Sequence, residues 1–136
     1  MKRPATLGGR GTTSVGPRPK ILLVDDEEVM RTSLALTLRG EGFSVKPCEG
    51  SLKALEHLRT GGFDLLITDI HMDDMDGLAL AASALALEPG MRIIYMSAYE
   101  FPPECGSWPR LAKPFKTGAL LALLREMDLQ AAEETR

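Results

Sequence analysis

Aromatic residues are scarce: one Trp, two Tyr and four Phe make up 5% of 136 residues. Aliphatic side chains and Met must therefore supply the packing, and hydrophobic residues at 44% are enough to build a core for one domain. Only Cys48 and Cys105 represent cysteine. Two are too few for a disulfide framework and lack metal-ligand spacing, so a reducing, cytoplasmic setting is the expectation. No apolar run reaches the roughly 18 residues that span a bilayer. The basic N-terminus has no apolar h-region, which reads against a secretory signal.

Acids are missing from the first 20 residues, which carry Lys2, Arg3, Arg10, Arg18 and Lys20. The other 116 residues hold 11 basic and 19 acidic side chains, so a chain of net charge −3 divides into a +5 segment and a −8 body. An acidic body reads against direct nucleic-acid binding, which needs a basic face. It suits a protein that gathers carboxylates around a cation. Residues 1–19, rich in Gly, Pro, Ser and Thr without apolar periodicity, read as a disordered basic tail.

From Lys20 the pattern alternates. Ile21–Val24 is a continuous apolar run of the kind that forms a strand buried on both faces. A helix is predicted from about Glu27 to Arg39, ended by Gly40 and Gly42, then a weaker strand at Phe43–Val45. Ser51 is expected to cap a second helix that closes at Gly61-Gly62. A buried strand over Asp64–Asp69 and an Ala/Leu-rich helix from Gly77 to about Glu88 follow. Next come a strand over Met91–Met96, a brief one over Arg110–Ala112, and a Leu-rich helix from Thr117 to about Leu129. This alternation predicts an α/β fold: a flavodoxin-like, doubly wound, five-stranded parallel sheet in the order 2-1-3-4-5. The domain is expected over residues 20–129, with a short tail over 130–136.

Such sheets place their ligands at the carboxyl ends of the strands. Asp25 and Asp26 follow the first strand, Asp69 the third, Ser97 the fourth and Lys113 the fifth. Three carboxylates at one edge repel unless a cation joins them, and oxygen-only ligands favour Mg²⁺. A nearby Lys suits a phosphoryl group. Taken singly, each residue has a plainer reading: Asp25-Asp26 as a helix cap, Ser97 as a strand-end hydroxyl, Lys113 as a surface charge. Asp73, Asp74 and Asp76 read as ordinary loop acids, and His57 is assigned no role.

Four segments in this order, Leu23-Val24-Asp25-Asp26-Glu27, Asp69-Ile70-His71-Met72-Asp73-Asp74-Met75-Asp76-Gly77, Met96-Ser97-Ala98 and Lys113-Pro114-Phe115, resemble the receiver domain of bacterial two-component response regulators. The resemblance covers about residues 20–129. It implies a phosphorylation-dependent switch, not an enzyme beyond self-phosphorylation and autodephosphorylation. Asp69 would be the phosphoacceptor, served by a sensor histidine kinase or a phosphotransfer protein. It further implies Mg²⁺ held by Asp26, Asp69 and the backbone carbonyl of His71, with Asp25 acting through water. Lys113 would pair with Asp69 and then with the phosphoryl group, Ser97 would be the switch hydroxyl, and the Lys113–Pro114 peptide would be cis. Output would pass to a downstream protein target, or the chain would act as a phosphate shuttle or sink, because no output domain is expected after residue 129. No membrane is implied.

The sequence also departs from that pattern. Asp73 replaces a common proline, and Tyr99 stands where a side chain can shield the phosphoryl group. Ser97 and Lys113 are 16 residues apart, an interval holding Pro102, Pro103, Gly106 and Pro109, so the fourth helix is expected to be shortened or absent. Arg110 takes the place of the family's aromatic switch residue, for which Trp108 or Tyr95 would be the substitutes. Two rival readings are a phosphorylation-independent binding scaffold on the same fold and a fragment of a larger regulator. A haloacid-dehalogenase phosphatase is disfavoured because its Asp-x-Asp-x-Thr/Val motif is missing after the first strand.

Overall fold

The computed structural model describes residues 19–127 and Leu129. The basic tail, apart from Pro19, and the 130–136 tail lie outside the described residues. Five strands are found: β1 (Lys20–Val24), β2 (Ser44–Cys48), β3 (Leu65–Asp69), β4 (Arg92–Ser97) and β5 (Arg110–Ala112). They form one all-parallel sheet in the order β2-β1-β3-β4-β5. Four α-helices accompany them: α1 (Glu28–Gly40), α2 (Ser51–Thr60), α3 (Gly77–Leu87) and α4 (Thr117–Glu126). No helix among the described residues is long and apolar enough to cross a membrane.

Strand residues alternate between two cores, as a pleated sheet covered on both faces requires. Ile21, Leu23, Leu65, Ile67, Ile94 and Met96 pack with Leu34 and Leu38 of α1 and Leu120 and Leu124 of α4. Leu22, Val24, Leu66, Ile93 and Tyr95 face α2 and α3 through Ala54, Leu58, Leu80 and Ala84.

Several local expectations are corrected. The second strand runs on to Cys48 through Pro47. Proline is tolerated because β2 is an edge strand bonded only to β1, so one side of it carries no ladder. Ser51 does not cap α2: it is the first helical residue, and its hydroxyl donates to the Met75 carbonyl at 2.8 Å. The last helix ends at Glu126, three residues short of the expected boundary. Between β4 and β5 the crossover holds one 3₁₀ turn, Pro103–Cys105, in keeping with the shortened helix expected there. The Lys113–Pro114 peptide is cis.

Gly77 ties the third helix to the sheet edge. Its N–H donates to the Ile70 carbonyl at 2.7 Å, and a Cβ at this position would stand 2.1 Å from the Asp69 carbonyl oxygen. Backbone must move to admit any side chain. Gly77→Ala is expected to lower the stability of the fold by about 1–3 kcal/mol. The urea midpoint reads this directly, and an unchanged midpoint contradicts the close approach.

Candidate functional site

The strand ends bring together what the sequence spread apart. Asp25 is fully buried, Asp69 is 8% exposed, and Asp26 is exposed beside them. One carboxylate oxygen from each lies within 4.8 Å of the others. Lys113, carried in from β5 by a backbone bond from its N–H to the Ser97 carbonyl at 2.8 Å, closes the group. Its Nζ stands 2.9 Å from both Asp25 Oδ2 and Asp69 Oδ2. The lysine thus bridges two carboxylates, where the sequence reading gave it one.

Three carboxylates against one ammonium leave an excess of about two negative charges. Burial, then the charges of Asp25, Asp69 and Asp73, hold the Asp26 carboxyl above the ordinary carboxylate range. For Lys113, burial works to lower the pKa. The hydrogen bonds and charges of Asp69 and Asp25 outweigh it, so the ammonium sits above its ordinary value. The excess charge and the all-oxygen donor set fit a hard divalent ion such as Mg²⁺. Asp25, Asp26 and Asp69 each bring one carboxylate oxygen to a group that could hold it. Asp25 has Oδ1 taken by the Glu27 N–H at 2.9 Å and Oδ2 by Lys113.

The rim is built by local hydrogen bonds. The His71 N–H donates to Asp69 Oδ1 at 3.3 Å, which fixes the start of the loop after β3. Ser97 is fully buried, and its Oγ accepts from the Tyr99 N–H at 2.9 Å. The Tyr99 ring meets the His71 imidazole edge to face, centroids 5.0 Å apart and planes at 85°, while remaining 71% exposed. Arg110 points away from the site: it donates to the Gly106 and Trp108 carbonyls and lies 6.0 Å from the Phe101 ring centre. His57 sits on α2 and takes no part.

Asp74 and Asp76 are not ordinary loop acids. Asp76 caps its own helix, α3, accepting from the Ala79 N–H at 2.8 Å. Asp74 caps a different helix: its oxygens accept from the N–H groups of Ser51 (3.3 Å) and Leu52 (3.0 Å) at the start of α2. Together with the Ser51 hydroxyl on the Met75 carbonyl, this fastens the loop carrying His71 to α2. The sequence held no signal for a cap delivered from 22 residues away.

With this geometry in place, the class of protein is defined. The family model for the response regulator receiver domain matches residues 21–125, and the chain belongs to that family. Receiver domains are phosphoacceptor signalling domains. Over 115 residues the chain is 35% identical to the transcriptional regulatory protein ZraR of Escherichia coli K12, spanning 85% of this chain and 25% of that protein. It is 32% identical over 116 residues to the C4-dicarboxylate transport transcriptional regulatory protein DctD of Rhizobium meliloti, covering 81% of this chain and 25% of DctD. The chain therefore spans about a quarter of the length of these relatives. Among solved structures, a CheY-like receiver protein from Methanospirillum hungatei superposes with a TM-score of 0.77 at 27% identity, covering 82% of this chain and 94% of that one. The response regulator TrrA of Thermotoga maritima, solved with Mg²⁺-BeF, gives 0.74 at 27% identity, covering 80% and 98%.

The hydrogen bond from Leu52, joined by those from Met75 and Ser51, outweighs the burial penalty and holds the Asp74 carboxyl below its ordinary range. A carboxyl depressed in the folded state contributes stability above its unfolded pKa and loses it as pH falls through the lower folded value. Asp74→Ala is accordingly expected to cost about 0.5–2 kcal/mol at neutral pH. The difference from wild type should shrink as the cap protonates in acid. Amide exchange at Ser51 and Leu52 checks it; exchange unchanged at neutral pH contradicts the cap.

Proposed function

We propose that this domain takes a phosphoryl group from a sensor histidine kinase or a phosphotransfer protein onto Asp69 and uses it as a signalling switch. The observation that carries the reading is Asp69 Oδ2, 2.9 Å from the Lys113 ammonium and inside a three-carboxylate group suited to a divalent cation. A carboxylate oxygen of Asp69 attacks the phosphorus of the donor phosphohistidine. The P–N bond breaks and its electron pair stays on the donor nitrogen. The imidazole, already protonated on its other ring nitrogen, leaves as the neutral base, and an acyl phosphate remains on Asp69.

Mg²⁺ would be held by Asp26, Asp69 and the His71 carbonyl, and when bound would supply charge neutralisation for the phosphoryl oxygens. Asp25 would support it through water, as the resemblance to the family implies; in the structure its two oxygens accept from the Glu27 N–H and from Lys113. Lys113 passes from the Asp69 carboxylate to the phosphoryl group and keeps the charge balanced. The Ser97 hydroxyl is the neutral donor for a phosphoryl oxygen; its own oxygen already accepts from Tyr99. The chemistry ends with the acyl phosphate and its hydrolysis, so the domain acts as a phosphoacceptor and not as a turnover enzyme.

Output passes to a downstream protein target in the cytoplasm, or the domain serves as a phosphate shuttle or sink. The −8 body supports a protein partner over nucleic acid. The rebuilt crossover, with Arg110 turned outward, favours one second reading: a receiver whose binding does not depend on phosphorylation.

Acetyl phosphate with Mg²⁺ is expected to add one phosphoryl group by intact mass, and Asp69→Asn or EDTA to abolish the adduct. No adduct on the wild-type chain, or an adduct that survives Asp69→Asn, overturns the assignment. Tyr99 and His71 stand together at the rim where water must approach. Tyr99→Ala is expected to shorten the lifetime of the phosphorylated protein severalfold, and an unchanged lifetime contradicts that shielding.

A further inference from the structure

The crossover between β4 and β5 leaves one wall of the α2–α3 core without a covering helix. A groove of about 510 Å³ opens there, a volume in the range of binding cavities. Its first wall is α3, which presents Leu78, Ala82 and Leu85 at helical spacing; Ala82 is exposed and the two leucines are half-buried. Trp108 and Glu104, on and just beyond the 3₁₀ turn, form the other wall, with Tyr95 as the floor.

Three features indicate that something seats in it. Tyr95 is 3% exposed, lines the groove, and its hydroxyl donates to none of the described residues. Burial first, then Cys105 and the Asp76 carboxylate, raise its pKa, so the phenol keeps its proton and remains a donor in want of an acceptor. The lining carries two carboxylates, Asp76 and Glu104, and no cation. Asp76 spends only Oδ1 on its cap, and Arg110 is occupied with the Gly106 and Trp108 carbonyls. Finally, the Leu78–Ala82–Leu85 ridge is shaped for a second helix, since small residues at its middle allow two helix axes to approach closely.

We propose that this groove is the docking site for a helix of a partner protein, laid along α3 with its apolar face on Leu78, Ala82 and Leu85 and a Lys or Arg between Asp76 and Glu104. Helix-in-groove recognition by spaced apolar anchors supplies the binding, and the acids select a basic partner. The assignment goes beyond phosphotransfer: Asp69 is no part of the groove.

Trp108 is the only tryptophan and lines the site, so its emission is a built-in reporter. The probe is a library of helix-favouring 16-residue peptides displayed on phage and selected against the full chain. Selected sequences are expected to converge on apolar residues at helical spacing with Lys or Arg beside them. Synthetic copies should shift Trp108 emission saturably. Ala82→Glu and Glu104→Lys, both at exposed positions, should each weaken binding by about tenfold or more. Leu36→Glu on the opposite side of the sheet should leave it unchanged, and Asp69→Asn should bind as the wild type does. The proposal is overturned if no sequence is enriched, if enriched peptides are acidic or neutral, or if their binding ignores Ala82→Glu and Glu104→Lys. A second copy of this chain as the occupant also overturns it, and would show as a dimer that Ala82→Glu dissociates. Loss of the acyl phosphate on Asp69→Asn with peptide binding intact separates this site from the phosphoacceptor.

Discussion

Everything at the carboxyl edge of this sheet depends on one ammonium shared between two carboxylates. Lys113 lies 2.9 Å from Asp25 and from Asp69, two acids that are buried and nearly buried. Without it the three-acid group would expose its repulsion in a region of low dielectric, where the penalty is steep. Its presence still leaves the site short of positive charge, a shortfall that fits a divalent cation. The hydrogen bond from the Lys113 N–H to the Ser97 carbonyl fixes the lysine to the same strand end as the buried Ser97 hydroxyl. A three-residue strand therefore matters more here than its length suggests.

The loop after β3 is held from both sides. Asp69 takes the His71 N–H, and Asp74 takes the first N–H groups of α2. Where the family commonly has proline to stiffen this loop, the chain has Asp73 followed by an acid that caps a neighbouring helix. Gly77 completes the arrangement by letting α3 start against the Asp69 carbonyl.

Much of this was legible in the sequence because the relevant signals are local. Continuous apolar runs such as Ile21–Val24 and Leu65–Ile67 mark strands buried on both faces, and each ends in the polar residue that the fold delivers to one edge. Strand order and the site members followed from that pattern and from the resemblance it carried. What escaped were contacts between distant segments. The second strand runs past its expected end at Val45 and through Pro47, which only an edge position makes harmless, and edge status is a property of the whole sheet. Ser51 looked like a cap, whereas the capping oxygens come from Asp74 across the loop. The groove beside α3 was signalled only indirectly, by prolines that forbid a helix between β4 and β5; Tyr95 as its floor follows from the alternation of β4.

The most direct measurement of the central claim locates the phosphoryl group chemically. The chain is treated with acetyl phosphate and Mg²⁺, reduced with borohydride, which converts an aspartyl phosphate to homoserine, and sequenced by tandem mass spectrometry. The account predicts homoserine at position 69, with Asp25 and Asp26 unmodified. Homoserine at another position, or none in a sample whose intact mass shows the adduct, would contradict it.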